Sequence, residues 1–221
     1  MRTHEHILSV AIDLFNQEGI LDVGLNRIAT EAGVSRGHLH YYFNTRTEIF
    51  RAIFNRINQE MEQQWYRDDK QRTYAHMHRM FMRQMDIMYR YRCFYSEVRA
   101  LAVRDELLRS RYLNNRRRRS DHIQLYFQGL IELGIMRRPN VGRGLADCVQ
   151  MGMLICDNWF SHLQLESRVL DAASLEEGYQ LVCCIFDPWI ISEADRAAHH
   201  PRRSQPASGG SLEHVTIATR K

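Results

Sequence analysis

Lysine is nearly missing from these 221 residues: Lys70 and Lys221 stand alone, and arginine supplies the rest of the 30 basic side chains. Against 26 acidic residues the formal net charge is only +4, which excludes a broad electrostatic carpet for a polyanion and leaves room for focused phosphate contacts. Long apolar runs are missing too. None approaches the roughly 20 residues that cross a bilayer, so no membrane partner is expected. The opening Met1-Arg2-Thr3-His4-Glu5-His6 leads into no apolar stretch with a small-residue cleavage site, and the expected location is the cytoplasm. The five cysteines (Cys93, Cys148, Cys156, Cys183, Cys184) contain no Cys-x-x-Cys, and read as buried reduced thiols, with redox sensing the alternative. No Gly-x-Ser-x-Gly elbow, phosphate-cradling glycine loop or His-Glu-x-x-His occurs, so no catalytic residue and no cofactor is assigned. The His4-x-His6 and His76-x-His78 pairs point to opposite sides of a helix, and no metal site is assigned either. Alternating β-branched runs are equally scarce, which leaves an all-α fold.

What is present is helical periodicity, most informatively from Leu25 to Phe43. Ile28, Ala29 and Ala32 make one small apolar face. Gly33 can take the left-handed conformation that ends this helix, and Ser35 can cap the next. The second helix buries Val34, Leu39 and Phe43 and projects Arg36, His38, His40, Tyr41 and Tyr42. That is the layout of a helix-turn-helix, whose second helix reads base edges in the major groove of double-stranded DNA. Arg36 either forks onto guanine O6 and N7 or touches phosphate. Tyr41 and Tyr42 suit phosphate and sugar, with Tyr42 alternatively structural. Thr45 can cap a third long helix whose first residue, Arg46, suits phosphate. The stretch from Arg36 to Arg56 is locally basic, with Glu48 its one acid.

The organisation that follows is a helix-turn-helix domain over residues 1–48, a linking helix over about 46–65, a second helical domain over 70–194, and a disordered tail over 196–221. The head begins with a helix from His6 to Glu18, closed by Gly19. The second domain is read as helices Tyr74–Tyr91, Phe94–Arg104, Asp105–Leu133, Gly144–Leu165 and Ser174–Phe186, the last stopped by Asp187-Pro188.

On Ile7-Leu8, Ala11, Leu14-Phe15, Gly19, Ile28-Ala29, Ala32-Gly33-Val34-Ser35, Gly37, Leu39, Tyr42-Phe43 and Arg46, residues 4–50 resemble the TetR family of bacterial transcriptional regulators. Gly24 departs from the threonine or serine usual there, His38 from a threonine and His40 from a tyrosine. The resemblance implies a homodimeric regulator whose DNA-binding residues are Ser35, Arg36, Gly37, His38, His40, Tyr41, Tyr42, Thr45 and Arg46. It also implies a variable helical domain that binds a small effector and dimerises through its last two helices.

For that domain the sequence offers a methionine and aromatic set: Met77, Phe81, Met85, Met88, Phe94, Val98, Phe127, Met151 and Ile155, with Tyr95 and Asn158 as polar contacts. It is either ordinary core or the lining of a pocket for a small apolar effector. Leu145, Val149, Gly152, Ile155, Trp159 and Leu163, with Gly178, Leu181, Val182 and Ile185, form two stripes that either make a two-fold four-helix interface or pack within their own domain. Arg116 to Arg119 read as a solvated face, or as a contact for phosphate or an acidic partner. A ligand-released repressor is the leading expectation. The alternative is a DNA-bound interaction protein of the same fold that recruits a protein and has no effector.

Overall fold

A computed structural model describes residues 3–66 and 73–191. Among them the chain forms α1 (Thr3–Glu18), α2 (Leu25–Glu31), α3 (Arg36–Tyr42), α4 (Arg46–Tyr66), α5 (Tyr74–Arg90), α6 (Arg92–Arg104), α7 (Glu106–Glu132), α8 (Leu145–Leu165) and α9 (Ala172–Phe186). A 3-10 turn, Asp187–Trp189, follows. The described residues are thus all-α, the N-terminal head with its helix-turn-helix included; no described helix is long and apolar enough to cross a membrane. The expected tail over 196–221 and the polar break at Asp68–Lys70 lie outside the described residues.

Five of the expected starts move by one to three residues, and capping explains two of the shifts. Asp105 is the residue before α7 rather than its first: its carboxylate accepts the Leu108 amide at 3.1 Å. The last long helix begins at Ala172, because Asp171 accepts the Ser174 amide at 2.8 Å while the Ser174 hydroxyl accepts the Asp171 amide at 3.0 Å. This reciprocal box was legible in Asp171-Ala172-Ala173-Ser174 but was passed over in favour of the apolar stripe.

The chain falls into two compact units. One is Met1–Gln64 with Asp86–Asn115; the other is Trp65–Met85 with Arg116–Lys221, so α5 and α7 contribute to both.

In the first unit, Ile7, Leu8, Ala11 and Phe15 of α1 meet Ile28 and Ala29 of α2, Leu39 of α3, and Ile49 and Ile53 of α4 in one buried core. Phe15 lies 5.2 Å from Phe50, and Phe54 stacks on Phe94 of α6 at 5.5 Å. The Asn16 side chain donates to the Arg90 carbonyl and accepts the Cys93 amide, which fixes the α5–α6 bend on α1. Arg51 of α4 grips Asp105 through two bonds of 2.7 and 2.9 Å.

In the second unit α8 packs along α9. The Trp159 indole lies over Gly178 and donates to the Ser174 carbonyl at 3.0 Å, and Gly152 admits Val182 and Phe186. Phe127 of α7 stacks on Phe186 at 4.0 Å. Arg116 and Arg119 are largely covered and converge on Asp157 of α8, while Arg117 and Arg118 are exposed. The solvated-face reading of the arginine run therefore holds for its middle pair alone. The cause is Asp157, which lies 41 residues from Arg116 and which helical periodicity within α7 cannot foresee.

Candidate nucleic-acid interface

The turn between α2 and α3 is built as its residues dictate. Gly33 has a φ of +65°, and the Gly33 and Val34 amides return to the Thr30 and Ala29 carbonyls at 3.1 and 3.0 Å, closing α2 with two crossed bonds. Ser35 then accepts the His38 amide at 3.1 Å and starts α3. At the other end Gly24 precedes α2 in extended conformation with no side-chain cap, so the departure noted in the sequence leaves a real gap.

Leu39 and Phe43 anchor α3 in the core, and its outer face is bare. Tyr41 is 82% exposed and Gly37 and His38 are exposed around it. One edge is formed by Arg36, whose Nε donates to His40 Nε2 at 3.4 Å. This bond needs the His40 tautomer with its proton on Nδ1, and it leaves both terminal guanidinium nitrogens of Arg36 for another acceptor. The other edge is Tyr42, 5.5 Å from His38 and 5.1 Å from Tyr41. Behind it stands His4 of α1, 6.0 Å from Tyr42 and 4.8 Å from Phe43. His4 orients the end of α3, a role its sequence position gave no sign of.

Thr45 accepts the Glu48 amide at 3.2 Å, and the Glu48 carboxylate reaches back to the Asn44 amide at 2.7 Å, so α4 starts rigidly beside α3. Arg46 differs from the expectation. Its guanidinium donates to the Ile20 carbonyl and sits 5.9 Å from the Phe50 ring centre. In this conformation it braces α4 against the α1–α2 loop, and only its remaining N–H groups are left for phosphate.

The effector set is divided between the two units. Met77, Phe81, Met85, Phe127, Met151, Ile155 and Asn158 belong to one unit, Met88, Phe94, Tyr95 and Val98 to the other. Met151 is exposed, and Asn158 turns its amide onto the Leu154 carbonyl of its own helix at 2.8 Å. What sequence reasoning missed is the polar content of the second unit's interior. His76 and Gln84, eight residues apart on one face of α5, are buried, as is Tyr179, which lies 5.2 Å from Phe81. His76 stacks near Tyr126, and His78 meets Glu176 at 2.8 Å. Burial pushes the Tyr179 phenol far above its ordinary range, so it stays protonated.

The dimer stripes are also redistributed. Leu145, Val149, Gly152, Trp159 and Leu163 of α8, with Gly178 and Val182 of α9, are buried between these helices in one chain. Ile155 and Ile185 are half-buried, and Met151, Leu154, Leu165, Leu181 and the thiol Cys184 face outward. The other four cysteines are buried, and burial lifts Cys93 and Cys156 to about 12. Among the described residues no three His, Cys, Asp or Glu side chains gather into a metal-sized group.

With the head's geometry in view, comparison with known proteins decides the family. "Bacterial regulatory proteins, tetR family" matches residues 7–53, and "Bacterial transcriptional repressor" of the TetR type matches residues 56–198. The chain belongs to the TetR family. The chain is 40% identical over 52 residues to the HTH-type transcriptional regulator AcrR of Shigella flexneri, 24% of each chain. It is 40% identical over 58 residues to the nucleoid occlusion factor SlmA of Actinobacillus pleuropneumoniae serotype 5b, 26% of this chain and 29% of that protein. These matches thus span about a quarter of the relatives' length. A TetR-family transcriptional regulator from Marinobacter aquaeolei VT8 shares the fold with a TM-score of 0.80 at 23% identity, over 90% of this chain and 96% of that one. The chain is therefore a TetR-family transcriptional regulator, and the capped, outward-facing α3 is the second helix of its helix-turn-helix.

Proposed function

We propose that this TetR-family regulator is a homodimeric repressor that a small, largely apolar effector releases from a near-palindromic operator. The observation that carries the reading is the bare face of α3 on a fully packed head, where Arg36, Gly37, His38 and Tyr41 face solvent with no structural duty that would require it. Arg36 and His40 read base edges, Ser35, Tyr41, Tyr42 and Thr45 hold phosphate and sugar, and Arg46 adds its free N–H groups to the backbone contacts. One α3 spans too few bases for useful affinity. Two copies about 34–36 Å apart reach successive major-groove faces.

The outward apolar residues of α8 and α9 supply the two-fold contact, with Ile155 and Ile185 at its margin. The effector site lies within the second unit, where Phe81, Met85 and Phe127 supply apolar surface and His76, Gln84 and Tyr179 polar ends. The effector acts only through tighter binding to the state whose heads do not fit DNA. The similarity over 58 residues to a nucleoid occlusion factor supports a second reading, a DNA-bound protein that recruits a partner and has no effector.

Selection from random duplex pools by the purified protein tests the first part: enriched sequences should share a near-palindrome with half-sites about 10 base pairs apart. Thermal unfolding against aromatic and acyl compounds tests the second. A true effector at 100 times its dissociation constant adds about 2.7 kcal/mol and weakens operator binding. Operator binding with no such compound favours the second reading, and no enriched sequence removes both.

A further inference from the structure

The corner where α6 gives way to α7 carries a surface that DNA binding and effector response leave unused. Val103, the penultimate residue of α6, is 82% exposed, and Leu107, the second residue of α7, is 45% exposed. Arg99 lies four residues before Val103 and Arg111 four residues after Leu107, so each arginine shares a helix face with one of the apolar side chains. Arg104 sits between them, and all three arginines are exposed. Among the described residues none of the three makes an ion pair, whereas the neighbouring Arg109 is held by Glu106 at 3.2 Å. Of the two acids at the corner, Asp105 is turned inward onto Arg51 and the exposed Glu106 is taken by Arg109.

Isolated exposed apolar residues are ordinary. Here two of them lie within four residues of three exposed guanidinium groups that make no ion pair, and the combination specifies a partner. Phosphate would use the arginines and leave Val103 and Leu107 in water. A segment with both carboxylates and apolar side chains covers all five residues. We propose that the α6–α7 corner is a docking surface for an acidic, amphipathic segment of another protein. Such a partner sits beside Asp105, the side chain that holds α4 through Arg51, and α4 is the helix that follows α3.

The test uses the whole chain and a fluorescein-labelled peptide of alternating glutamate and leucine pairs, read by anisotropy at about 0.15 M salt, where the Debye length is ~8 Å. The peptide should bind the wild-type chain at least tenfold more tightly than an all-glutamate peptide of equal length. Two variants, Arg104→Glu with Arg111→Glu and Val103→Ser with Leu107→Ser, should each lose at least tenfold. Helical circular dichroism confirms that both are folded, and exposure of all four positions makes this the expected result. Unchanged peptide affinity in the folded variants overturns the proposal, as does failure of the wild-type chain to prefer the glutamate–leucine peptide. A random-sequence duplex that the arginine variant binds less well, with peptide affinity intact, assigns the corner to DNA instead. None of these readouts depends on an operator or an effector.

Discussion

At the scale of single residues, two helical glycines that look alike in sequence have opposite consequences. A Cβ on Gly178 would meet Trp159 Nε1 at 2.8 Å and Cε2 at 2.9 Å, displacing an indole that is pinned to the Ser174 carbonyl. On Gly152 the nearest atom is Val182 Cγ1 at 3.6 Å, an ordinary contact. Gly178→Ala should therefore destabilise by about 1–3 kcal/mol, the usual cost of overpacking. Gly152→Ala should be neutral or stabilising by up to about 1 kcal/mol, because alanine favours a helix over glycine. Paired denaturant titrations check both. In the proposed operator complex, Arg36 is the residue on which specificity turns. Arg36→Ala should cost about 1–3 kcal/mol on the selected operator and much less on a scrambled duplex. Equal losses on both would reduce Arg36 to a phosphate contact.

At the scale of elements, the junction that matters is α4 with the start of α7. The Arg51 guanidinium beside Asp105, with the Leu108 amide, holds the Asp105 carboxyl below the usual carboxylate range. A lowered folded value means that the stabilisation is fully present above the unfolded pKa of ~3.9 and is lost as pH falls through the folded value. Asp105→Ala should cost about 1–2 kcal/mol at pH 7, a cap loss in the upper part of the usual range. The gap between wild type and variant should stay constant down to about pH 5 and narrow at lower pH. Urea unfolding at pH 7, 5 and 3 reads this directly, and a gap that widens on acidification would contradict the assigned bridge.

At the scale of the whole molecule, the proposed two-fold assembly depends on which side of α8 and α9 is free. Leu154 is 49% exposed and Leu181 is 45% exposed, so neither contributes to the fold of its own chain as Trp159 or Leu163 does. Leu154→Arg with Leu181→Arg should yield folded monomers, since the new charges sit in water in the single chain and would be buried unpaired in the dimer. Light scattering should show half the wild-type mass, with helical content retained and operator affinity lost. A dimer that survives both changes would place the interface elsewhere.

Much of the head was legible because its signals are local. The periodicity of Ile28, Ala29 and Ala32, the positive φ at Gly33 and the Ser35 cap each act within a few residues, and a linear reading captures interactions of that range. The same holds for the apolar stripes of α8 and α9. Periodicity identified their residues, but an inward stripe and a dimer stripe have the same period. Only the docking of Trp159 on Gly178 decided which one α9 covers. Asp157 drawing in Arg116 and Arg119, Ile20 taking Arg46, and His4 backing Tyr42 are likewise contacts between residues far apart in the chain. Their partners are chosen when helices pack, so local pattern determined which elements form and tertiary packing alone decided which of their faces remain free to act.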